Sequence, residues 1–217
     1  MTRKFRNKCE DLELITNKDL IAAAHSLMDG IDLDPASSKT ANSFVQADKF
    51  YGPQDDGLNV QEWEGKVYVF PPSGAYYFDK YLDKWKMTRA SSGSLTSSHA
   101  LWFRKLYRLW MADVVTEGLY FTNCTDMIRY DQRIFDFPVC ILKTAPTLIK
   151  NTSEGIGSHK TSTSLVAYLQ PKRNSGAATE KFLDIYSEKG RILYWVGILK
   201  DDWNQLCRSW VTLKSSS

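Results

Sequence analysis

A run of strand-forming residues that ends at two prolines constrains the fold more than any other stretch of the chain. Residues 67–70 are Val, Tyr, Val and Phe, a composition that favours a buried strand. Pro71 has no backbone N–H and Pro72 keeps it extended, so the strand must stop there, and Gly74 lets the chain turn away. Ligands of open α/β sheets bind at the carboxyl ends of the strands. The stretch therefore predicts either a ligand-binding edge or simply the end of a strand.

Composition favours an ordinary globular domain. The 217 residues are 43% apolar and 24% charged, which suits one large domain with a single core. The net charge of +3 permits contact with nucleic acid without requiring it. No apolar run is long enough to span a membrane, and the basic N-terminus lacks the apolar stretch of a secretory signal. We therefore expect an intracellular protein without a membrane partner.

The cysteines and histidines follow no metal-ligand spacing. No two cysteines form a CxxC pair, and their wide separation is typical of free thiols in a reducing compartment. The sequence consequently predicts no metal site. The residues concerned are Cys9, Cys124, Cys140, Cys207, His25, His99 and His159.

Predicted strands alternate with predicted helices, which indicates an α/β fold with a mostly parallel central sheet and helices on both faces. Thr16 is the expected N-cap of the first helix. The predicted helices are 18–28, 76–87, 99–113, 179–187 and 201–213, with a short helix near 37–44. The predicted strands are 31–34, 67–70, 119–122, 137–142, 147–150, 165–169 and 192–199, with loops at 91–98 and 153–162. We divide the chain into a flexible basic N-terminus (1–12), a domain (13–200) and a C-terminal helix and tail (201–217).

Several segments, in their order and spacing, resemble one known family. The segments are Thr16, the IDLDPA run at 31–36, the DDGL run at 55–58 with Trp63, VYVFPP at 67–72, the strands at 118–122, 137–141 and 165–169, and SEKG at 187–190. Together they resemble the phage-type (Dam-like) DNA adenine-N6 methyltransferases over about residues 11 to 195. Each motif is weak alone, and the shared order makes the resemblance more specific.

The resemblance implies a Rossmann-like methyltransferase fold, S-adenosylmethionine as the methyl donor, and a base flipped out of duplex DNA. It places the loop after Asp34, including Ala36, along the cofactor pocket. It places Thr16 near the amino-acid end of the cofactor, and Asp55 or Asp56 near its adenosine. A carboxylate suits a ribose because it accepts hydrogen bonds from both hydroxyls. Without the resemblance, these aspartates would be interpreted as plain turn residues.

The catalytic tetrapeptide of the family is altered here. The family has Asn or Asp, Pro, Pro and then an aromatic residue, whereas this chain has Phe70, Pro71, Pro72 and Ser73. The family's first side chain and the next proline carbonyl accept hydrogen bonds from the target amine, and Phe70 has no acceptor. Losing such an acceptor often lowers a rate by about 10² to 10³. Ser73 cannot stack on a base, and the loss of stacking weakens the binding free energy by roughly 1 to 3 kcal/mol per base. Asn17 after Thr16 also departs from the family's Thr-Pro.

Nucleic-acid contacts are predicted on two segments. Tyr76 or Tyr77 could replace the lost stacking residue, although such aromatics more often pack on a core. Arg104 and Arg108 could follow a phosphate backbone, or could simply be a solvated face. These arginines and four other basic residues flank the serine-rich loop at 91–98; the other four are Lys84, Lys86, Arg89 and Lys105.

Three functions remain open on the sequence alone. The first is an active methyltransferase acting on an exocyclic amine of a nucleic-acid base. The second is an inactive methyltransferase-like domain that binds nucleic acid or a partner protein. The third is a structural α/β subunit that has also lost cofactor binding. All three share the predicted fold, because fold does not determine function.

Overall fold

The structure is a computed structural model that describes residues 13–60, 63–88 and 95–194. Predictions for residues 1–12, for Arg89 and for the C-terminal helix at 201–213 lie outside these ranges. The described helices are α1 (Lys18–Met28), α2 (Lys39–Val45), α3 (Ser98–Met111) and α4 (Ser175–Tyr186), with short 3-10 helices at Thr125–Arg129 and Gln132–Asp136. The described strands are β1 (Glu13–Ile15), β2 (Leu33–Asp34), β3 (Lys49–Phe50), β4 (Gly65–Val69), β5 (Ala75–Asp79), β6 (Lys84–Thr88), β7 (Thr96–Ser97), β8 (Val115–Thr122), β9 (Val139–Leu142), β10 (Thr147–Thr152), β11 (Gly155–Lys160), β12 (Leu165–Leu169) and β13 (Gly190–Leu193).

The central sheet is mixed rather than mostly parallel. Its strand order is β3-β2-β4-β8-β12-β9-β13. The first four strands pair in parallel, whereas β12 is antiparallel to both β8 and β9, and β13 is antiparallel to β9. A parallel neighbour requires a crossover, usually a helix. The hairpin β10–β11 occupies the connection from β9 to β12 instead, so β12 returns in the opposite direction. The α/β class is confirmed, and the mostly parallel sheet is not.

The sheet separates two apolar layers. Side chains of β4 alternate between its faces: Val67 and Val69 pack on the side of α3, whereas Tyr68 packs on the side of α1 and α4. The α3 layer also contains the buried Trp63, and the opposite layer contains Phe182 from α4. Helices therefore cover both faces, as predicted. Among the described residues, no helix is long and apolar enough to cross a membrane.

The predicted helix at 76–87 is wrong, because this segment forms the antiparallel hairpin β5–β6. The spacing of Phe78, Tyr81 and Trp85 suits a helix, but aromatic residues also favour strands. The turn is stabilised locally: Asp79 Oδ1 accepts hydrogen bonds from the backbone N–H groups of Tyr81 and Leu82. Strand alternation buries Tyr76 and exposes Tyr77. Local turn chemistry thus overrides the helical spacing.

Other boundaries also differ from the predictions. The polar segment predicted as a loop at 153–162 contains β11, which pairs with β10. The last apolar run is a strand only over Gly190–Leu193 within the described residues. The N-cap of α1 is Asn17 rather than Thr16, because Asn17 Oδ1 accepts a hydrogen bond from Leu20 N at 3.0 Å. Thr16 is therefore available for another contact.

The stacked aromatic cluster under α4 should be a main source of stability. Phe182 is fully buried between Tyr168, at 5.5 Å between ring centroids, and Tyr186, at 4.7 Å. We expect Phe182→Ala to lower the free energy of unfolding by about 3–5 kcal/mol, because it leaves a cavity. Urea denaturation measures the change. Tyr81→Ala, at a fully exposed aromatic residue, is the control and should leave the midpoint unchanged; equal effects of the two substitutions would contradict this packing.

Candidate functional site

The chain order reverses between β2 and β4, so this edge of the sheet is a topological switch point. From β2 the chain adds β3 on one side and β4 on the other. Ligands of open α/β sheets bind at the carboxyl ends of strands at such a switch point. Leu33 pairs with Val67, so Asp34 and Phe70 lie at the same edge. The geometry thus brings together the two segments that the sequence singled out.

The first residue of α3 holds the Pro-Pro segment in place. Ser98 Oγ donates a hydrogen bond to the Pro72 carbonyl, and Ser98 N donates to the Gly74 carbonyl at 3.0 Å. Pro71 is buried, whereas Pro72 and Ser73 are exposed. The segment after β4 is therefore fixed by the helix behind it, and Ser73 faces solvent without an aromatic ring.

Phe70 points into the layer formed by α1 and α4. Its ring lies edge-on to Phe121, with centroids 4.8 Å apart, and it packs against the apolar cluster there. The side chain of Phe70 thus has a packing role at this edge. It has no hydrogen-bond acceptor to offer a ligand.

A buried polar cluster lies close to this switch point. The Thr16 hydroxyl is hydrogen-bonded to the Tyr68 hydroxyl, and both side chains are buried. Asp34 is only 3% exposed and accepts a hydrogen bond from Ala36 N at 3.1 Å. Burial raises the pKa of Asp34 to about 7, while the Ala36 bond acts in the opposite direction. Burial raises the pKa of Tyr68 as well, with a smaller contribution from the charge of Asp34.

Asp55 and Asp56 serve the turn that carries them. Asp55 Oδ2 accepts a hydrogen bond from Gly52 N at 2.7 Å. Asp56 accepts hydrogen bonds from Asn59 Nδ2 and lies 3.9 Å from Lys84 Nζ. Both are exposed. The turn lies against the loop after β2, because a Cβ on Gly57 would clash with the Pro35 carbonyl, so the structure brings this turn to the loop of Ala36.

The aromatic and basic residues predicted for nucleic acid have different environments. Tyr76 is buried, at 7% exposure, in the layer of α3 and offers no free face to a base. Tyr77 is 38% exposed on the other side of the hairpin. Arg104 is held by Asp131 and by the Tyr130 carbonyl, whereas Arg108 is exposed. Arg108 is therefore the cation that is free to meet a ligand.

His99 is a feature of this edge that sequence reasoning missed. Its side chain is buried and its Nδ1 lies 2.8 Å from Thr122 Oγ1, at the carboxyl end of β8 next to β4. Burial lowers the pKa of His99 to about 4, so the ring is neutral. Nε2 has no hydrogen-bond partner among the described residues. Nothing in the sequence marked this residue, since an isolated histidine near a helix start has no motif.

The structural role of Lys105 was also not predicted from the sequence. Its ammonium donates hydrogen bonds to the carbonyls of Gly57, Leu58 and Val60, and lies 4.4 Å from the centroid of the Trp63 ring. Burial, and then the charge of Arg108, lower the pKa of Lys105 to about 7. The three carbonyls match the three N–H bonds of a charged lysine and favour that form. Lys105 thus joins α3 to the segment that precedes β4.

Two surface cavities lie elsewhere on the described part of the chain. One, of about 430 Å³, is lined by α3 and the hairpin, and the other, of about 240 Å³, lies at the start of α1. Neither includes Asp34 or the segment from Phe70 to Ser73. Within the described part of the chain, no group of three or more His, Cys, Asp or Glu side chains could hold a metal ion.

Comparison with known proteins gives little further information. No family model and no curated protein matches the chain. A structure from Listeria monocytogenes, described as a class I S-adenosylmethionine-dependent methyltransferase, matches with 12% identity and a TM-score of 0.40, over 78% of this chain and 70% of that one. We base no assignment on a likeness of this size.

The raised pKa of Asp34 should make stability depend on pH. Between about pH 4 and pH 7 the folded chain keeps a proton on Asp34 that the unfolded chain has lost, so this carboxyl should lower stability as pH rises through that range. Asp34→Asn lacks this titration, so its free energy of unfolding minus that of the wild type should increase by about 2–4 kcal/mol from about pH 5 to about pH 8. Urea denaturation at both pH values measures this. The same pair of measurements on Asp55→Asn gives the background, and a constant difference for Asp34→Asn would show that Asp34 is already charged at pH 5.

Proposed function

We propose that this chain is an S-adenosylmethionine-binding domain built for methyl transfer to an exocyclic amine of a nucleic-acid base. One observation carries the proposal: a buried carboxyl, Asp34, and the Pro71–Pro72 segment end adjacent strands at a switch point of an α/β sheet. The phage-type (Dam-like) resemblance of the same two segments supports it. DNA adenine-N6 is the substrate that the resemblance suggests.

Asp34 has the acceptor atoms that a cofactor ribose requires, and binding would have to uncover its carboxyl, which is 3% exposed. The carboxyl group of Asp34 can accept hydrogen bonds from two ribose hydroxyls. Cofactor hydroxyls would also replace solvent as partners of the charged form, which would lower the pKa of Asp34 again. Ala36 N donates to Asp34 in the loop after β2, and the Thr16 hydroxyl, before α1, is hydrogen-bonded to Tyr68. The bound cofactor would supply an electrophilic methyl group on sulfur.

The chain's own residues give the reacting amine incomplete support. Pro71 provides a carbonyl acceptor at the edge of the sheet, and the Pro72 carbonyl already accepts from Ser98. Phe70 packs on Phe121 where the family has an Asn or Asp side chain. Ser73 leaves the stacking position without a ring. This geometry favours the second function considered above, an inactive methyltransferase-like domain that binds nucleic acid or a partner protein.

Cofactor binding tests the proposal directly. Isothermal titration calorimetry should give a dissociation constant for S-adenosylmethionine in the micromolar range. Asp34→Asn should weaken binding by about 10- to 100-fold, because a hydrogen bond to a charged group is worth about 1.5–3 kcal/mol.

The matched control is Asp55→Asn, whose carboxylate bonds within its own turn and which should change the affinity less than about twofold. Absence of heat at millimolar cofactor would contradict cofactor binding. Equal affinities of the wild type and Asp34→Asn would exclude the role of Asp34.

Restoring the family tetrapeptide should restore activity. The double variant Phe70→Asn, Ser73→Tyr should transfer tritiated methyl groups to mixed single-stranded and duplex DNA at least about 10²-fold faster than the wild type. The control, Phe70→Leu, Ser73→Ala, also loses the contact with Phe121 but gains neither acceptor nor ring. A wild type as active as the double variant would refute the inactive interpretation, whereas no activity in either would argue against this edge as the reacting centre.

A further inference from the structure

The larger of the two cavities, the α3 groove, carries an unusual charge distribution. The α3 groove lies between α3, the hairpin β5–β6 and the second 3-10 helix, and has a volume of about 430 Å³. Among the described residues, four cationic side chains line it and no acidic side chain does. The lining side chains that bear on binding are Trp85, Arg104, Lys105, Tyr107, Arg108 and Arg133. A concave site of one charge sign attracts ligands of the opposite sign.

The carboxylates nearby do not balance these cations. Asp131, with a side chain only 2% exposed, is shared by Arg104 and Arg133. The charge of Asp56 raises the pKa of Lys105 only slightly, and Asp56 lies 3.9 Å from Lys84 Nζ. The charge of Asp136 likewise raises the pKa of Arg133 only slightly. Arg108 is exposed and makes no ion pair within the described part of the chain. The groove therefore has an excess of positive charge.

Two of the guanidinium groups are held in fixed positions. Arg104 Nε donates to Asp131 Oδ2 at 3.1 Å, and Arg133 Nε donates to Asp131 Oδ1 at 2.8 Å. The Arg133 guanidinium also lies 4.6 Å from the centroid of the Tyr107 ring. A guanidinium that is already oriented loses less entropy when it binds a phosphate. Such preorganisation is a property of a binding site rather than of a solvated face.

Aromatic side chains lie beside the charges. Trp85 comes from β6 and Tyr107 from α3, and each is partly exposed at the groove. Proteins that bind single-stranded nucleic acid combine a cationic groove with aromatic faces on which bases stack. An acidic peptide would use the cations but would gain nothing from these rings.

We infer that the α3 groove binds single-stranded nucleic acid, with phosphates on Arg108 and Arg133 and a base against Trp85. The direction in which the bound nucleic-acid strand runs is inferred from the proposed function. α3 begins at Ser98, which holds Pro72, and Arg108 lies ten residues further along, about 15 Å at 1.5 Å per residue. A strand in the groove could therefore extend to the Pro-Pro segment, which identifies the groove as the contact for the nucleotides flanking a target base.

The test is fluorescence anisotropy with a labelled oligothymidylate of about twelve nucleotides. Arg108→Glu should weaken binding at least about tenfold at about 50 mM salt, and Arg108→Ala should reduce the slope of log K against log salt by about 0.7. Arg173→Glu reverses an exposed charge before α4 and should leave the affinity within about twofold. Trp85→Ala should weaken binding about tenfold while the salt slope stays unchanged.

Two competitors identify the ligand. Thymidine monophosphate should bind at least about tenfold more weakly than the oligonucleotide, and polyglutamate should not displace the oligonucleotide at equal charge concentration. Equal affinity for the mononucleotide, displacement by polyglutamate, or equal losses in Arg108→Glu and Arg173→Glu would each overturn the inference. Circular dichroism verifies that each variant is folded.

Cofactor titration separates this inference from the proposed function. Arg108→Glu should bind S-adenosylmethionine as the wild type does, because Arg108 lines a cavity that does not include Asp34. Loss of oligonucleotide binding with intact cofactor binding supports the groove. Oligonucleotide binding that depends on Arg108 in a chain without affinity for the cofactor would keep the groove and reject the proposed function.

Discussion

The termination of β4 at Pro71 is the constraint on which the rest of the structure depends. Because Pro71 has no donor for the sheet, the chain leaves the ladder there and is held by Ser98 at the start of α3. That attachment fixes where α3 begins and therefore where its polar face lies. It also leaves the carboxyl ends of β2 and β4 side by side, with Asp34 buried at that edge. Both proposed sites follow from this one interruption.

Local sequence patterns predicted the elements whose partners are close in the chain. The β4 strand, α1 and α3 were predicted because their apolar spacing leaves one interpretation, whereas the hairpin was missed because Phe78 and Trp85 fit both a helix and a strand. The antiparallel insertion of β12 could not be predicted, since the pairing of β12 with β8 joins residues more than forty positions apart. Tertiary topology of this kind leaves no local signal.

The residues of the candidate site also divide into those that local sequence patterns predicted and those that they did not. Asp34 and the Pro-Pro segment could be placed at one edge from the order of the motifs, because each directly ends a strand. His99 and Lys105 could not, since their importance comes from burial and from partners more than twenty residues away, Thr122 and Gly57. The basic face of α3 was visible in the sequence, but which of its arginines is free depends on Asp131, which lies in a different element.

Asp131 has a further consequence for how this protein can change over evolution. One carboxylate orients two guanidinium groups that come from different segments, 27 and 2 residues away in sequence. Replacing it would release both at once, and no single substitution elsewhere could restore both. Positions 104, 131 and 133 should therefore vary as a unit among descendants of this chain, whereas position 108 is free to drift alone and so to adjust the preferred ligand.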